Sequence, residues 1–213
     1  LEVVVAHKGF VRWCIHTVGR AAHSSNPDVG KNAIYQMADL ITTLRADYEP
    51  LLSQHQHPLV GPATWSIGQI SGGAAVNIVP ERCSIDIDRR LLPGETSESA
   101  LAEFDSVVAT AQRRHPGLVV ERDVPFGDVL GIDTPASAPA VQALFIATKA
   151  VRGIARLVGV PYGTNASKFV ETGIECVVFG PGDVRQAHTA DEFVAIDQVV
   201  TAAQIYEAAA RAF

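Results

Sequence analysis

The chain has 213 residues, 47% of them hydrophobic and 19% charged, with a formal net charge of −6. That length can bury a real core in one large or two small domains, and the mild acidity gives no clustered basic surface for nucleic acid or an anionic membrane. No apolar run reaches the length of a bilayer span, and no basic-then-apolar leader opens the chain. Cys14, Cys83 and Cys176 are far apart and in no metal-ligand spacing, so they read as reduced structural thiols of a cytoplasmic protein. The chain starts at Leu1 and its single methionine is Met37, which reads as a start set by cutting.

In chain order, Phe10 to Val18 alternates, with Val11, Trp13 and Ile15 on one face and Arg12, Cys14 and His16 on the other. That is the period of a half-buried strand. A polar loop with glycine and proline runs from Ala22 to Gly30. Ile34, Met37, Ile41, Leu44 and Tyr48 then recur at helical steps, and Pro50 is expected to help end that helix. Trp65 to Ile70 and Cys83 to Arg89 read as two more strands, joined through Gly72-Gly73 and Asn77-Ile78-Val79-Pro80. Ser97 is placed to cap a second helix carrying Leu101, Phe104, Val108 and Ala111. Pro116-Gly117 stops it, and Leu118 to Val124 reads as a fourth strand. Strand, helix, strand, strand, helix, strand is the split βαβ order, two helices on a four-stranded antiparallel sheet as in ferredoxin-like folds.

Beyond about Pro125 the pattern changes. Pro139 opens a helix with Val141, Leu144, Phe145 and Val151 on one side. Glu175 to Phe179 suits a strand buried on both faces, and Ile196, Val199, Val200, Ala203, Tyr206, Ala210 and Phe213 mark a terminal helix. One strand between two helices closes no sheet. This part therefore reads as a partial α/β domain with apolar surface left uncovered.

Taken singly, the chemical candidates have two readings each. His188 follows the Gly180-Pro181-Gly182 turn, where α/β sheets place their sites, but it also suits a solvated loop. His23 could donate to a developing oxyanion or be one polar residue in a polar loop. Asn77 and Arg90 could bind a substrate carboxylate or belong to an ordinary surface. His55-Gln56-His57 reads as solvated, and Asp86 with Asp88 as the polar face of a sheet.

Taken in order, His7-Lys8-Gly9, Ala22-His23-Ser24-Ser25, Gly72-Gly73 with Asn77-Ile78-Val79-Pro80, Asp88-Arg89-Arg90-Leu91-Leu92-Pro93-Gly94, Tyr162-Gly163-Thr164-Asn165-Ala166 and Phe179-Gly180-Pro181-Gly182 with Ala187-His188-Thr189 resemble one family. It is that of the acetylornithine deacetylase, succinyl-diaminopimelate desuccinylase, aminoacylase and carboxypeptidase G zinc metallohydrolases. The resemblance implies an α+β lid, through which subunits pair, over residues 8–123, and the C-terminal part of an α/β catalytic domain over 124–213. It implies that His188 is a metal ligand and that His23 stabilises the tetrahedral intermediate in a second subunit's active site. Asn77, Arg90, Gly163 and Thr164 fall on the substrate side; Asn165 stands where the family usually has an acidic residue. The implied activity is zinc-dependent cleavage of an N-acyl amino acid or peptide-like amide by a homodimer, without nucleic acid or membrane. The family's H-x-D pair, bridging Asp and Glu-Glu are not in the sequence. Since catalytic zinc needs about three protein ligands and a base, the chain by itself is expected to bind no zinc tightly and to be inactive. The alternative is a non-catalytic pairing module.

Overall fold

The computed structural model describes residues 1–187 and 189–212, so His188 and Phe213 lie outside the described residues. Strand β1 (Val3–His7) is followed by β2 (Phe10–Val18), β3 (Ala22–His23) and α1 (Ala33–Gln54). The chain continues with β4 (Gln56–His57), β5 (Gly61–Pro62), β6 (Thr64–Gly72), β7 (Ile78–Val79), β8 (Arg82–Arg90) and α2 (Ser97–Arg114). Then come β9 (Val120–Arg122), β10 (Gly127–Val129), β11 (Ile132–Asp133), α3 (Pro139–Arg152), β12 (Leu157–Val160), α4 (Ala166–Val170) and α5 (Ile196–Ala212). These form two units, Gly9–Leu130 and a second made of Leu1–Lys8 with Gly131–Phe213.

In the Gly9–Leu130 unit, β8 lies between β2 and β6, and β9 and β10 share the other side of β2, all antiparallel. The strand expected at Leu118–Val124 is reduced to the three residues of β9, and β10 lies beyond its expected end. Alternation decides the faces: Val11, Trp13 and Ile15 of β2 and Cys83, Ile85 and Ile87 of β8 are buried. They meet Met37, Leu40, Leu44 and Tyr48 of α1 and Leu101, Phe104 and Ala111 of α2 on the layer above. Trp13, Tyr48, Trp65 and Phe104 are linked through edge-to-face ring contacts at 5.0–5.6 Å between centroids.

Three local expectations are corrected here. Pro50 does not end α1, which runs to Gln54. Proline removes the bond to the carbonyl four residues earlier, and that residue, Ala46, is exposed, so water can satisfy it while Leu52 beyond stays buried. The cap of α2 is Thr96 rather than Ser97: Thr96 Oγ1 accepts from Ser99 N–H at 3.2 Å, and Ser99 Oγ accepts from Thr96 N–H at 3.1 Å. His55 is not solvated, because Nδ1 lies 2.9 Å from Glu95 and Nε2 3.1 Å from Glu103.

Glu95 is also the partner of the buried Arg89, at 3.1 Å. Burial alone would raise the Glu95 carboxyl, but bonds from His55 and Leu92 N–H, with the Arg89 charge, hold it below its ordinary value.

The second unit has a sheet of its own, which the sequence reading missed. β1 is central, parallel to β12 and antiparallel to β11. The expected strand at 175–179 is reduced to one bridge between Val4 and Val178, and Val177 to Phe179 are only half-buried. Val3 and Val5 of β1 pack with Val141, Leu144 and Ala147 of α3 and with Ile205 and Ala209 of α5. Apolar side chains also face outward, among them Phe169, Phe193, Val200 and Ile196, the last 81% exposed.

Candidate functional site

His23 stands on a two-strand ribbon in which Ala22 pairs with Val79 and His23 with Ile78. Ser24 N–H donates to the Asn77 carbonyl at 3.0 Å, so Asn77 sits beside His23 across the ribbon. Gly30 permits the chain to pass this closely: a Cβ there would stand 2.8 Å from the Ala22 Cβ and 3.1 Å from Val79 Cγ1. A groove lined by Ser24, Asn32, Tyr35, Gly73, Val76 and Ile78 runs along the same ribbon.

The His23 ring has a defined tautomer. Its Nδ1 accepts from Ser25 N–H at 3.2 Å and lies 2.7 Å from Ser25 Oγ, so the proton belongs on Nε2. His23 is exposed, and the outward Nε2–H is a donor ready for an external acceptor.

Arg90 is not brought to this ribbon. Asn77 and His23 lie at the end of β8 where Arg82 begins it, and Arg90 closes its other end, eight steps or roughly 26 Å away along an extended strand. There Arg90 Nε pairs with Asp88 at 2.7 Å, Arg12 pairs with the same carboxylate at 2.7 Å, and the Arg12 guanidinium lies 4.3 Å from the Phe10 ring centroid.

Gly163 and Thr164 belong to the other unit, in the loop that follows β12. β1 and β12 are parallel and end together, with His7 paired to Val160, so this loop lies at the carboxyl ends of the strands. Thr164 Oγ1 is 3.0 Å from His7 Nε2 and accepts from Ala166 N–H at 3.2 Å. His7 Nδ1 is 3.0 Å from the Lys8 carbonyl, which can only accept. Nδ1 is therefore protonated, Nε2 accepts, and the Thr164 hydroxyl must donate to it. Both roles of that hydroxyl are occupied within the chain. His7, fully buried, thus holds the loop in place, and burial lowers its pKa from 6.5. The sequence reading quoted His7 but gave it no task.

His188, the expected metal ligand, lies outside the described residues. Of the other residues proposed for the site, His23, Asn77, Arg90, Gly163 and Thr164, His23 alone has a side chain that commonly ligates zinc, and Ser25 engages its Nδ1. That set does not by itself fit a catalytic zinc, which takes about three protein ligands. Among the described residues, one group places three donor side chains within 4.8 Å of one another: Cys14, His16 and Asp123.

The chain thus combines a split-βαβ unit whose outer strand is β6 with a second, α/β unit. Residues 5–116 match the peptidase dimerisation domain model of the M20 group, and the chain belongs to that family. It is 30% identical over 205 residues to an acetylornithine deacetylase of Myxococcus xanthus, covering 92% of this chain and 51% of that relative. To the acetylornithine deacetylase of Proteus mirabilis it is 32% identical over 201 residues, covering 91% of this chain and 49% of that protein. The chain thus spans about half the length of the curated relatives it matches. The fold is that of aminopeptidase PepT from Bacillus cereus (TM-score 0.77, 21% identity, 99% of this chain and 53% of that one). It is also that of an M20 family metallo-carboxypeptidase from Sulfolobus solfataricus (TM-score 0.73, 18% identity, 98% and 59%).

Proposed function

We propose that these residues serve the hydrolysis of an amide bond in an N-acyl amino acid or peptide-like substrate, as the lid and the C-terminal part of the catalytic domain of a zinc-dependent amidohydrolase. The observation that carries this reading is His23, whose Nδ1 is engaged by Ser25, leaving an Nε2–H donor on the exposed ribbon beside Asn77. A fixed donor of that kind suits the oxyanion of a tetrahedral intermediate. Asn77 and Arg90 bind the substrate's polar groups, and their separation along β8 in one chain suits a site completed by two subunits. Gly163 and Thr164 shape the substrate side through backbone, since the Thr164 hydroxyl is engaged by His7 and Ala166. His188 would be this chain's ligand to a zinc ion, and the chemistry such an ion would supply is activation of water and polarisation of the carbonyl.

Two copies pair through the Gly9–Leu130 unit. β6 is the outer strand of its sheet, with β8 on one side only, and Ile70 on it is 60% exposed. An uncovered edge of this kind is a template for strand pairing. The same edge favours the second reading, a pairing module without catalysis.

The assay that separates them is zinc-supplemented hydrolysis of N-acetyl amino acids by a protein that joins these residues to the family's H-x-D and Glu-Glu segments. The enzyme reading expects turnover, with His23→Ala lowering kcat by about 100-fold or more and KM little changed. No turnover in the joined protein leaves the pairing module. Alone, the 213-residue chain is expected to be inactive.

A further inference from the structure

The solvent face of the Gly9–Leu130 sheet holds a group of side chains that the reading above does not use. In the β2–β8 register Cys14 faces Asp86 and His16 faces Ser84. Asp123 follows β9 and is tied to the same place by its N–H, which donates to the Cys14 carbonyl at 3.0 Å. The His16 ring stands between these groups: Nε2 is 2.9 Å from Asp123 Oδ2, while Nδ1 is 2.7 Å from Ser84 Oγ and 3.9 Å from Cys14 Sγ. The His16 side chain is 11% exposed and that of Asp123 55%, so the group is backed by the sheet and open on one side.

We infer that Cys14, His16 and Asp123 form a binding site for a divalent zinc-type cation that clips the segment after β9 onto β2. Thiolate, imidazole and carboxylate are the donor types that zinc takes. Tetrahedral coordination at about 2.0–2.3 Å sets donor separations near about 3.3 Å. The three donor groups lie within 4.8 Å of one another, so side-chain rotations at Cys14 and Asp123 are what a bound ion requires to reach that spacing. A cation held by Nε2 replaces the proton that Nε2 shares with Asp123; that proton passes to Nδ1, which then donates to Ser84 as metal-bound histidines characteristically do. On binding, the Cys14 thiol releases its proton to solvent and the imidazole stays neutral, so one proton leaves per ion.

The charges around the triad favour this. Asp86 lies directly across the strand pair from Cys14, and Asp123 is tied beside it, so two carboxylates flank the thiol. Arg82, the nearest opposing charge, is drawn to Glu121 at 2.9 Å. This assignment departs from the expectation that the chain binds no metal tightly and that its cysteines are merely structural. Sequence spacing does not show it, because Asp123 is brought in by the fold.

The test uses the whole chain, freed of metal and titrated with zinc and with cobalt. One zinc per chain is expected, and cobalt should give a thiolate-to-metal charge-transfer band. Cys14→Ser should abolish the band and weaken zinc binding at least about 100-fold, Ser84→Ala should weaken it about 10-fold, and His188→Ala should leave both unchanged. On the wild type, which needs no mutant to fold, zinc should protect Cys14 from alkylation and leave Cys176 reactive. Absence of the band, its survival in Cys14→Ser, its loss in His188→Ala, or equal alkylation of Cys14 with and without zinc would each overturn the assignment.

Discussion

The Thr164 hydroxyl donates to Nε2 of His7 at 3.0 Å, joining the loop after β12 to the end of β1 across 157 positions of sequence. Removing the hydroxyl while keeping the shape, Thr164→Val, leaves a buried imidazole nitrogen and the Ala166 N–H unsatisfied. The expected loss is about 1–3 kcal/mol in denaturant unfolding, with Thr164→Ser close to wild type. Equal stability of the valine variant would mean the bond is not made.

The same pair sets a pH dependence. The unfolded chain protonates His7 near 6.5, whereas the folded chain resists until lower pH. Its contribution is fully present above pH 6.5 and is lost as pH falls from there towards the lowered folded value. Wild type should therefore lose melting temperature faster than His7→Gln between pH 6.5 and 5. Parallel curves would show that His7 titrates alike in both states.

The Arg89–Glu95 pair offers a larger effect. Arg89 is fully buried, and Glu95→Ala strands its charge while also removing the acceptor of Leu92 N–H and His55. A cost of about 3–5 kcal/mol is expected. A cost below about 1 kcal/mol would place Arg89 in contact with water.

Helix α2 supplies a paired comparison. Thr96→Ala should cost about 1 kcal/mol, because Thr96 Oγ1 caps Ser99 N–H. Ser97→Ala should cost nothing and can gain stability, since the Ser97 Oγ is buried without a partner among the described residues. The opposite order would restore the cap assignment made from sequence.

What the sequence made legible follows its periodicities. β2 spans Phe10–Val18 as its alternation implies, and α2 buries Leu101, Phe104, Val108 and Ala111 as its helical spacing implies. The second unit was harder because β1 and β12 are short apolar pieces whose pairing with each other, and of β1 with β11, joins distant parts of the sequence and has no local signature. The position of Thr96 against Ser97 was ambiguous because both residue types cap well. His55 looked solvated because its carboxylate partners lie 40 and more positions on. At the candidate site, motif order singles out His23 and Asn77, which the ribbon places side by side. The tautomer of His23, the engagement of Thr164 and the approach of Asp123 to Cys14 all depend on contacts that only the folded chain makes.

The proposed pairing of two copies along β6 is tested most directly by sedimentation equilibrium of the chain. The expected result is a species of twice the 22.6 kDa chain mass that Ile70→Lys, a charge on the exposed edge, shifts towards monomer. A monomer at every concentration, or a dimer indifferent to Ile70→Lys, would contradict it.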